Sequence, residues 1–278
     1  MHNPFMANHG LTLPFAAVVL GTHNLTRVQV KTSYQWRDYF EQNALTRLHV
    51  PWELGACVAE EEFTAIARSL QAWQLGETSD GSHLMAAATH YSLMMGDAAF
   101  VEAIRLFIKE EQRHGSDLGH FLDLAGVPRL KKDWGDAMFR RIRYFIPSME
   151  VWATPVVMVE THALIYYAAI RRATKSPVLQ KICEQVLCDE VPHIQFQCER
   201  LAILLRDRTR FWMKVTRVSH RIFFAGITLA IWAGHHRALK AGGHNLISFW
   251  KSSWAKMNLT FKKIEPGTYR WGATECTE

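Results

Sequence analysis

Two short segments of this 278-residue sequence combine acidic residues and a histidine at a spacing that suits metal binding. They are EEQRH, which contains Glu111 and His114, and DEVPH, which contains Glu190 and His193. Both segments lie in apolar patterns typical of helices, where residues i and i+3 share one face about one turn apart. Each segment could therefore offer a carboxylate oxygen and an imidazole nitrogen to one metal ion. Two such segments indicate two metal ions.

Counting along two predicted helical hairpins places a further glutamate opposite each motif. Residues that face each other across an antiparallel pair lie at about equal distances from the turn. The later hairpin turns in TKSP, and Glu160 lies as far before this turn as Glu190 lies after it. The earlier hairpin turns in MGD, with Glu77 and Glu111 placed in the same way. We therefore expect each motif to face a glutamate at matching depth.

Other residues of the same types fit this arrangement less well. Glu62 is the alternative to Glu77, because Glu77 stands beside glycines in LGETSDG and could lie in a loop. Fifteen residues of helix would separate the two by about 22 Å, so Glu77 is preferred. His90 and His162 are predicted to be core or surface histidines and not ligands.

The elements that carry these residues are predicted to be helices, and strand signals are weak after residue 50. Apolar residues recur at three- and four-residue steps, which predicts an all-α chain. The four central helices are predicted over residues 60–95 with a break at GETSDG, 98–126, 148–174 and 176–207. Asp97 is the predicted N-cap of the second helix, and Gly126 and Pro128 are its stop signals. The polar connection to the third helix is long enough for a crossover.

In these elements the sequence resembles the ferritin-like diiron-carboxylate superfamily, whose pattern is Glu, ExxH, Glu, ExxH on four successive helices. The resemblance covers about residues 70–210. It implies a ferritin-like four-helix bundle with a long crossover between the second and third helices, an N-terminal extension and an additional C-terminal helix. It also implies two iron ions, or manganese with iron, since carboxylates and imidazoles suit these metals. The six implied ligands are Glu77, Glu111, His114, Glu160, Glu190 and His193, with Glu111 and either Glu160 or Glu190 as bridges.

Two acidic residues directly before the motif glutamates are candidates to support the ligands. A carboxylate that accepts the far N–H of a ligating histidine fixes its tautomer and its ring orientation. Asp189 is preferred for this role, because Glu110 could simply be solvated.

Pro192 stands inside the predicted fourth helix. An interior proline loses a backbone hydrogen bond and costs roughly 3 kcal/mol. Two interpretations remain open: a local widening beside Glu190 and His193 that makes room for a ligand or dioxygen, or a plain structural kink. Gly76 and Gly81, which have no side chains, would similarly leave more room in the wall of the site.

The chain is predicted to have three parts: residues 1–50 form an N-terminal extension, residues 51–207 the bundle, and residues 208–278 a basic, Trp-rich extension. The first part contains VQVKT as a short extended piece and SYQWRDYFEQNALTRL as a short amphipathic helix. Its apolar run lacks the basic leader of a secretory signal, and no run of 18 apolar residues is present. We therefore expect a cytoplasmic protein without a membrane-crossing helix.

The C-terminal extension carries the basic character of a chain whose net charge is +6. Residues 222–234 are uncharged and mostly apolar, and cations flank them. The preferred interpretation is a fifth helix packed across the bundle with a basic outer face. The alternatives are contact with an anionic membrane surface through residues 208–263, and, least favoured, contact with nucleic acid.

Several absences narrow the function. The five cysteines include no CxxC pair, which argues against a rubrerythrin that carries its own electron donor. Leu118 stands where the small subunit of ribonucleotide reductase places its radical tyrosine. The long extensions also argue against a cage ferritin.

The function predicted from these features is that of a non-haem diiron oxidoreductase of the oxygenase, desaturase or hydroxylase type, which activates O2 or peroxide. The apolar segment TPVVMVETHALIYYAA could line a pocket for a lipophilic substrate. An external ferredoxin or reductase would supply electrons, and a homodimer is compatible with the sequence. The alternative is a ferritin-like iron-binding or ferroxidase protein that has no organic substrate and associates with a membrane surface.

Overall fold

The computed structural model describes residues 27–144 and 148–271, which form nine α-helices and two very short strands. The helices are α1 (Ser33–Leu45), α2 (Glu60–Glu77), α3 (Ser82–Met95), α4 (Ala98–Leu124), α5 (Trp134–Tyr144), α6 (Met149–Ala173), α7 (Pro177–Leu205), α8 (Arg210–Ala241) and α9 (Leu246–Ile264). Single 3-10 turns occur at Trp52–Leu54 and Pro266–Thr268. The apolar run predicted near the N-terminus lies outside the described residues.

Helices α2, α4, α6 and α7 form the centre of the molecule. α6 and α7 pack along each other as a hairpin, α2 packs on α4, and α4 also contacts α7. A large apolar cluster joins all four helices, with fully buried side chains such as Leu70, Leu118, Tyr166 and Ile182. The all-α prediction is confirmed, and every predicted ligand lies on one of these helices.

The first predicted helix is two helices in the structure. α2 ends at Glu77, α3 begins at Ser82, and both pack on α4. Gly81 has φ +69°, a left-handed conformation that favours glycine. A Cβ atom there would lie 2.7 Å from the Ile108 side chain, so glycine also permits close packing at the break. As a result, Glu77 stands at a helix end.

The predicted polar connection between the second and third central helices contains a helix of its own, α5. This helix packs against α2 and α8. Its sequence, WGDAMFRRIRY, has 11 residues and contains three arginines, so it is polar on average although its apolar residues recur at helical spacing. The connection is therefore a helical cover over the bundle and not an open loop.

The ends of the central helices follow the predicted signals in part. Gly126 has φ +69° and follows the end of α4, as expected. Asp97 occupies the N-cap position of α4, but its carboxylate accepts a hydrogen bond from Ser33 Oγ and does not cap the helix. α7 is helical through Pro192 without interruption. Local widening at Pro192 therefore stays a prediction.

Helix α6 is the one helix among the described residues that is long and apolar enough to cross a membrane. Its mean hydropathy reaches 1.2, although polar residues such as Glu160 and His162 interrupt the apolar sequence. However, 78% of the qualifying window is buried inside the protein. Such burial is typical of a helix in the core of a protein.

The two extensions pack on the bundle. α1 lies on α4, while α8 contacts α6 and α2, and α9 contacts α7 and α6. The strands β1 (Val28–Gln29) and β2 (Tyr269–Arg270) pair in parallel and join the two extensions. The C-terminal extension thus packs on the bundle through its inner face, as the preferred interpretation predicted. It contains two helices, α8 and α9, where one was predicted.

Candidate metal centre

The structure brings all six predicted ligand side chains together in the interior of the bundle. Their donor atoms form two groups, and the atoms of each group lie within 4.8 Å of one another. The first group contains Glu77, Glu111 and His114, and the second contains Glu111, Glu160, Glu190 and His193. Glu111 belongs to both groups. This geometry suits two adjacent ions with the Glu111 carboxylate between them.

A close approach of two helices places Glu77 in the first group. Glu77 is the last residue of α2, and this end of α2 lies against Gly115 of α4. A Cβ atom on Gly115 would lie 3.1 Å from Glu77 Cβ and 2.8 Å from Thr78 Cγ2. The absence of a side chain at Gly115 therefore lets Glu77 reach the centre.

The acidic residue that precedes each motif glutamate hydrogen-bonds the histidine of the other motif. His114 Nε2 donates to Asp189 Oδ2 at 2.9 Å, and His193 Nε2 donates to Glu110 Oε2 at 3.1 Å. Glu110 is buried, which corrects the expectation that it could simply be solvated. Because each Nε2 donates to an acid, the Nδ1 atom of each ring is the one that faces the cluster and could bind a metal ion.

The two Nδ1 atoms face the carboxylates of the cluster. His193 Nδ1 lies 2.7 Å from Glu111 Oε1 and 3.8 Å from Glu190 Oε2, and His114 Nδ1 lies 4.0 Å from Glu111 Oε1. Donor atoms in neighbouring positions around one ion, each about 2.0–2.2 Å from it, are separated by about 3 Å. The observed separations between donor atoms, from 2.7 to 4.0 Å, lie on both sides of this value.

A polar cage holds the two supporting acids. The Asn43 side chain on α1 donates to Asp189 at 2.9 Å and also to Glu110, and Arg113 bonds the same two carboxylates. Burial by itself would raise the pKa of Asp189, but hydrogen bonds from His114, Asn43 and Gln185 hold that pKa well below its usual range. Sequence reasoning missed Asn43, because no motif links α1 to the bundle.

Tyr167 is a further contact of the centre that sequence reasoning missed. Its hydroxyl donates to Glu77 Oε1 at 3.0 Å, and its side chain is buried. Tyr167 follows Glu160 by seven residues on α6, which places both on one face and was the available signal. Leu118, at the position where a radical tyrosine was considered, is buried.

The donor atoms suit a metal ion because many of them are buried without a hydrogen-bond partner. Within the described part of the chain, six buried donor atoms of the cluster make no hydrogen bond of acceptable geometry. They are Glu111 Oε1, His114 Nδ1, both carboxylate oxygens of Glu160, Glu190 Oε2 and His193 Nδ1. A buried polar atom without a partner costs about 1–3 kcal/mol, so such a concentration is expected only where a ligand satisfies these atoms.

The crowded carboxylates take up protons when no cation is present. Burial raises the pKa of Glu160 to about 8, and the charge of Glu111 adds to the effect. Burial and the charge of Glu111 also raise the pKa values of Glu77 and Glu190 well above their usual range. Cations at the centre would displace these protons.

Glu111 and His193 behave as a charged pair. Burial opposes ionisation of Glu111, but the charge of His193, whose Nδ1 lies 2.7 Å from Glu111 Oε1, lowers the pKa of Glu111 to about 2. In the same way, burial opposes the His193 charge, while Glu111 and Glu110 raise the pKa of His193 well above its usual range. The carboxylate shared by both groups is thus the one that stays ionised.

The rejected candidates lie outside both groups. Glu62 Oε1 accepts hydrogen bonds from Thr174 Oγ1 and Lys175 N at the turn between α6 and α7. His162 is buried and bonds Met158 O and Thr228 Oγ1, and burial lowers its pKa to about 4. His90 is exposed. These placements agree with the predictions for all three residues.

An apolar cavity of about 270 Å³ leads to the carboxylates of the centre. Its lining includes all four ligand glutamates and apolar side chains of α4, α5, α6 and α8, such as Phe107, Trp152 and Ile231. The charged residues Arg68 and Asp133, which form an ion pair, also line it. Gly76 and Gly81 belong to its wall, as expected from the sequence.

Comparison with solved structures places this arrangement in a known fold. No protein-family model and no curated protein matches the sequence. Two variants of an R2-like ligand-binding oxidase with an aerobically reconstituted Mn/Fe cofactor align with TM-scores of 0.61 and 0.62 at 15% identity, over 85% of this chain and 94% and 95% of theirs. The chain has the ferritin-like fold. The same oxidase with its metal cofactor after photoconversion aligns with a TM-score of 0.61 at 16% identity.

The shared fold does not establish the chemistry of the cluster. The alignment covers nearly the whole length of the oxidases, so it extends beyond the four central helices. At this level of identity the likeness concerns the course of the backbone. The chemistry of the centre therefore has to be argued from its own donor atoms.

Proposed function

We propose that this protein is a non-haem dimetal oxidoreductase that uses two iron ions, or manganese with iron, to activate O2 or peroxide. The observation that carries the proposal is the pair of donor groups that share Glu111, together with their unpartnered buried atoms. Four carboxylates and two neutral imidazoles carry four negative charges, which two divalent cations neutralise. Oxygen and imidazole donors without a thiolate favour iron and manganese.

Each residue of the centre has a distinct task in this proposal. Glu77 and His114 would hold one ion, Glu160, Glu190 and His193 the other, and Glu111 both. The metal pair would supply the electrons that reduce O2 or peroxide. Asp189 and Glu110 keep the imidazole protons on Nε2, and Tyr167 orients the Glu77 carboxylate through its hydrogen bond.

The cavity supports a lipophilic substrate. Its apolar walls end at the ligand carboxylates, so an apolar molecule could place a carbon atom beside the metal pair while the walls exclude water. The R2-like oxidases that share the fold are described as ligand-binding and as carrying a Mn/Fe cofactor. An external ferredoxin or reductase would return electrons to the metal pair between turnovers. We expect the protein to act in the cytoplasm and to form a homodimer.

The test is reaction of the metal-loaded protein with oxygen. Protein purified from cells supplied with iron and manganese should hold two metal ions per chain. After anaerobic reduction, it should oxidise on exposure to O2 and return to the reduced state when a reductant is added, over repeated cycles. Accumulation of many ferric ions per chain as mineral would instead support the iron-storage alternative.

Two variants sharpen this test. Glu111→Ala removes the carboxylate shared by both groups and should abolish binding of both ions. Glu62→Ala changes a glutamate that lies on α2 but outside the centre, and it should leave two ions per chain. Equal metal content in Glu111→Ala and wild-type protein would contradict the assignment.

A further inference from the structure

Helix α8 carries an apolar stripe on its outward face. The stripe comprises Phe211, Val215, Val218, Ile222 and Leu229, which are exposed by 67%, 40%, 57%, 70% and 53%. Steps of three, four and seven residues place these side chains on one side of a helix, over about 27 Å of its length. We call this set the α8 stripe. Exposed contiguous apolar surface of this kind marks an interaction site.

In the described part of the fold, the α8 stripe is exposed. The opposite face of α8 presents Thr216, His220 and Phe224, which are buried against the rest of the protein. Phe224 belongs to an apolar cluster with side chains of α6, α7 and α9. Packing of α8 on the bundle therefore explains its inner face and leaves the outer face to a partner.

Charge around the α8 stripe favours an anionic partner. Neither α8 nor α9 contains an aspartate or a glutamate. Lys214 and Arg221 are exposed and lie beside the stripe on the helical wheel, and Trp212 flanks its other side with 59% exposure. Arg217 is paired with Glu265. A stripe of apolar residues flanked by cations and tryptophan is typical of helices that lie in a membrane interface.

We propose that the α8 stripe lies in the surface of an anionic lipid membrane. Phe211, Val218 and Ile222 enter the boundary between headgroups and acyl chains, while Lys214 and Arg221 contact lipid phosphates. A second copy of the chain fits less well. In a twofold interface the two α8 helices would face each other. The cations of each helix would then meet the other helix, which has no acidic residue to pair with them, so the contact would be unfavourable. The proposal does not depend on the metal centre.

Vesicle co-sedimentation of the full chain tests the proposal. The protein should bind vesicles that contain phosphatidylglycerol at low salt, bind them less as salt rises, and bind pure phosphatidylcholine vesicles weakly. The Val218→Glu/Ile222→Glu variant should lose binding. Lys214→Gln and Arg221→Gln should each lower the partition coefficient about fivefold. Metal-free and metal-loaded protein should behave alike, so failure of the proposed function would not affect this result.

Matched variants elsewhere on the surface serve as controls. Leu93→Glu changes a side chain on α3 that is 80% exposed, and Lys109→Gln removes an exposed cation of α4. Both should bind vesicles like the wild type. Three outcomes would overturn the proposal: no binding of wild-type protein to anionic vesicles, equal binding by the Val218→Glu/Ile222→Glu variant, or equal binding to neutral vesicles. Loss of a dimer in that variant, without vesicle binding by the wild type, would identify a second copy as the partner.

Discussion

The two histidines of the centre depend on acids contributed by each other's motif. Glu110 and Asp189 both precede a motif glutamate, and each accepts a hydrogen bond from the Nε2–H group of the histidine on the opposite helix. This crossed arrangement fixes both rings at once and ties α4 to α7. The metal affinity should therefore depend on residues that do not touch the metal.

Replacement of Glu110 by glutamine tests this dependence. The variant removes the charge that holds the His193 proton on Nε2, so we expect a loss of metal affinity of about 10–100-fold. Competition with a chelator of known affinity measures it. Glu102→Gln is the control, because Glu102 lies on the same helix, is paired with Arg105 at the surface and should not affect the metal. Equal affinities in the two variants would contradict the role of Glu110.

The raised pKa of Glu160 predicts how stability depends on pH. Its folded-state pKa of about 8 exceeds the ordinary value of 4.5, so its stabilisation of the metal-free protein is complete below about pH 4.5 and is lost as the pH rises through 8. The raised pKa of His193 acts in the same direction. We expect the Tm of metal-free protein to fall between pH 6 and pH 9, in steps that roughly follow this titration.

Calorimetry with and without metal completes this test. The rise in Tm on metal binding should be larger at the higher pH, because fewer protons then compete with the ions. Glu160→Gln should flatten the pH dependence of the metal-free protein. A Tm that rises with pH in the metal-free wild type would show that the site is not protonated as described.

At the scale of helices, the site depends on how closely α2 approaches α4. Gly115→Ala would place a methyl group against the backbone and Cβ of Glu77, which have little freedom to move. Glu77 should be displaced, and metal content should fall from two ions towards one. Gly119→Ala is the control one turn later, since the atoms nearest to its added methyl group belong to the flexible guanidinium of Arg129. Two ions in both variants would contradict the argument.

The helices that carry the ligands could be predicted from the sequence. The residues that hydrogen-bond the supporting acids of the site, such as Asn43, could not. Glu111, Glu160 and Glu190 lie in phase with the apolar periodicity of their helices, so the pattern that buries the helices also points these glutamates inward. Asn43 reaches the site from α1, which lies 67 residues from Glu110 in the chain. Only tertiary packing brings it there. The helix α5 was missed because it is short and polar on average, although Trp134 and Met138 lie four residues apart, as on one face of a helix.

At the scale of the whole molecule, the fold surrounds the centre with helices and leaves an apolar cavity beside it. Filling this cavity should weaken binding of apolar molecules. Ala230 of α8 lines the cavity, and we expect Ala230→Phe to weaken binding of an apolar fluorescent probe by about tenfold, since overpacking costs about 1–3 kcal/mol. Fluorescence titration of the metal-loaded protein measures this effect.

A phenylalanine elsewhere on the same helix provides the control for this variant. Ala241 is exposed at the end of α8 and does not line the cavity, so Ala241→Phe should leave probe binding unchanged. If both variants bind the probe like the wild type, the cavity is not the binding site. Helix α8 thus has one face towards the cavity and the bundle and an exposed face on its other side.

Anomalous X-ray diffraction from crystals of the iron-loaded protein tests the central claim most directly. We predict two ions about 3.5–4 Å apart among α2, α4, α6 and α7, as in other two-metal sites, with the Glu111 carboxylate bound to both. A single ion, ions bound elsewhere, or a Glu111 carboxylate that contacts neither ion would contradict the account.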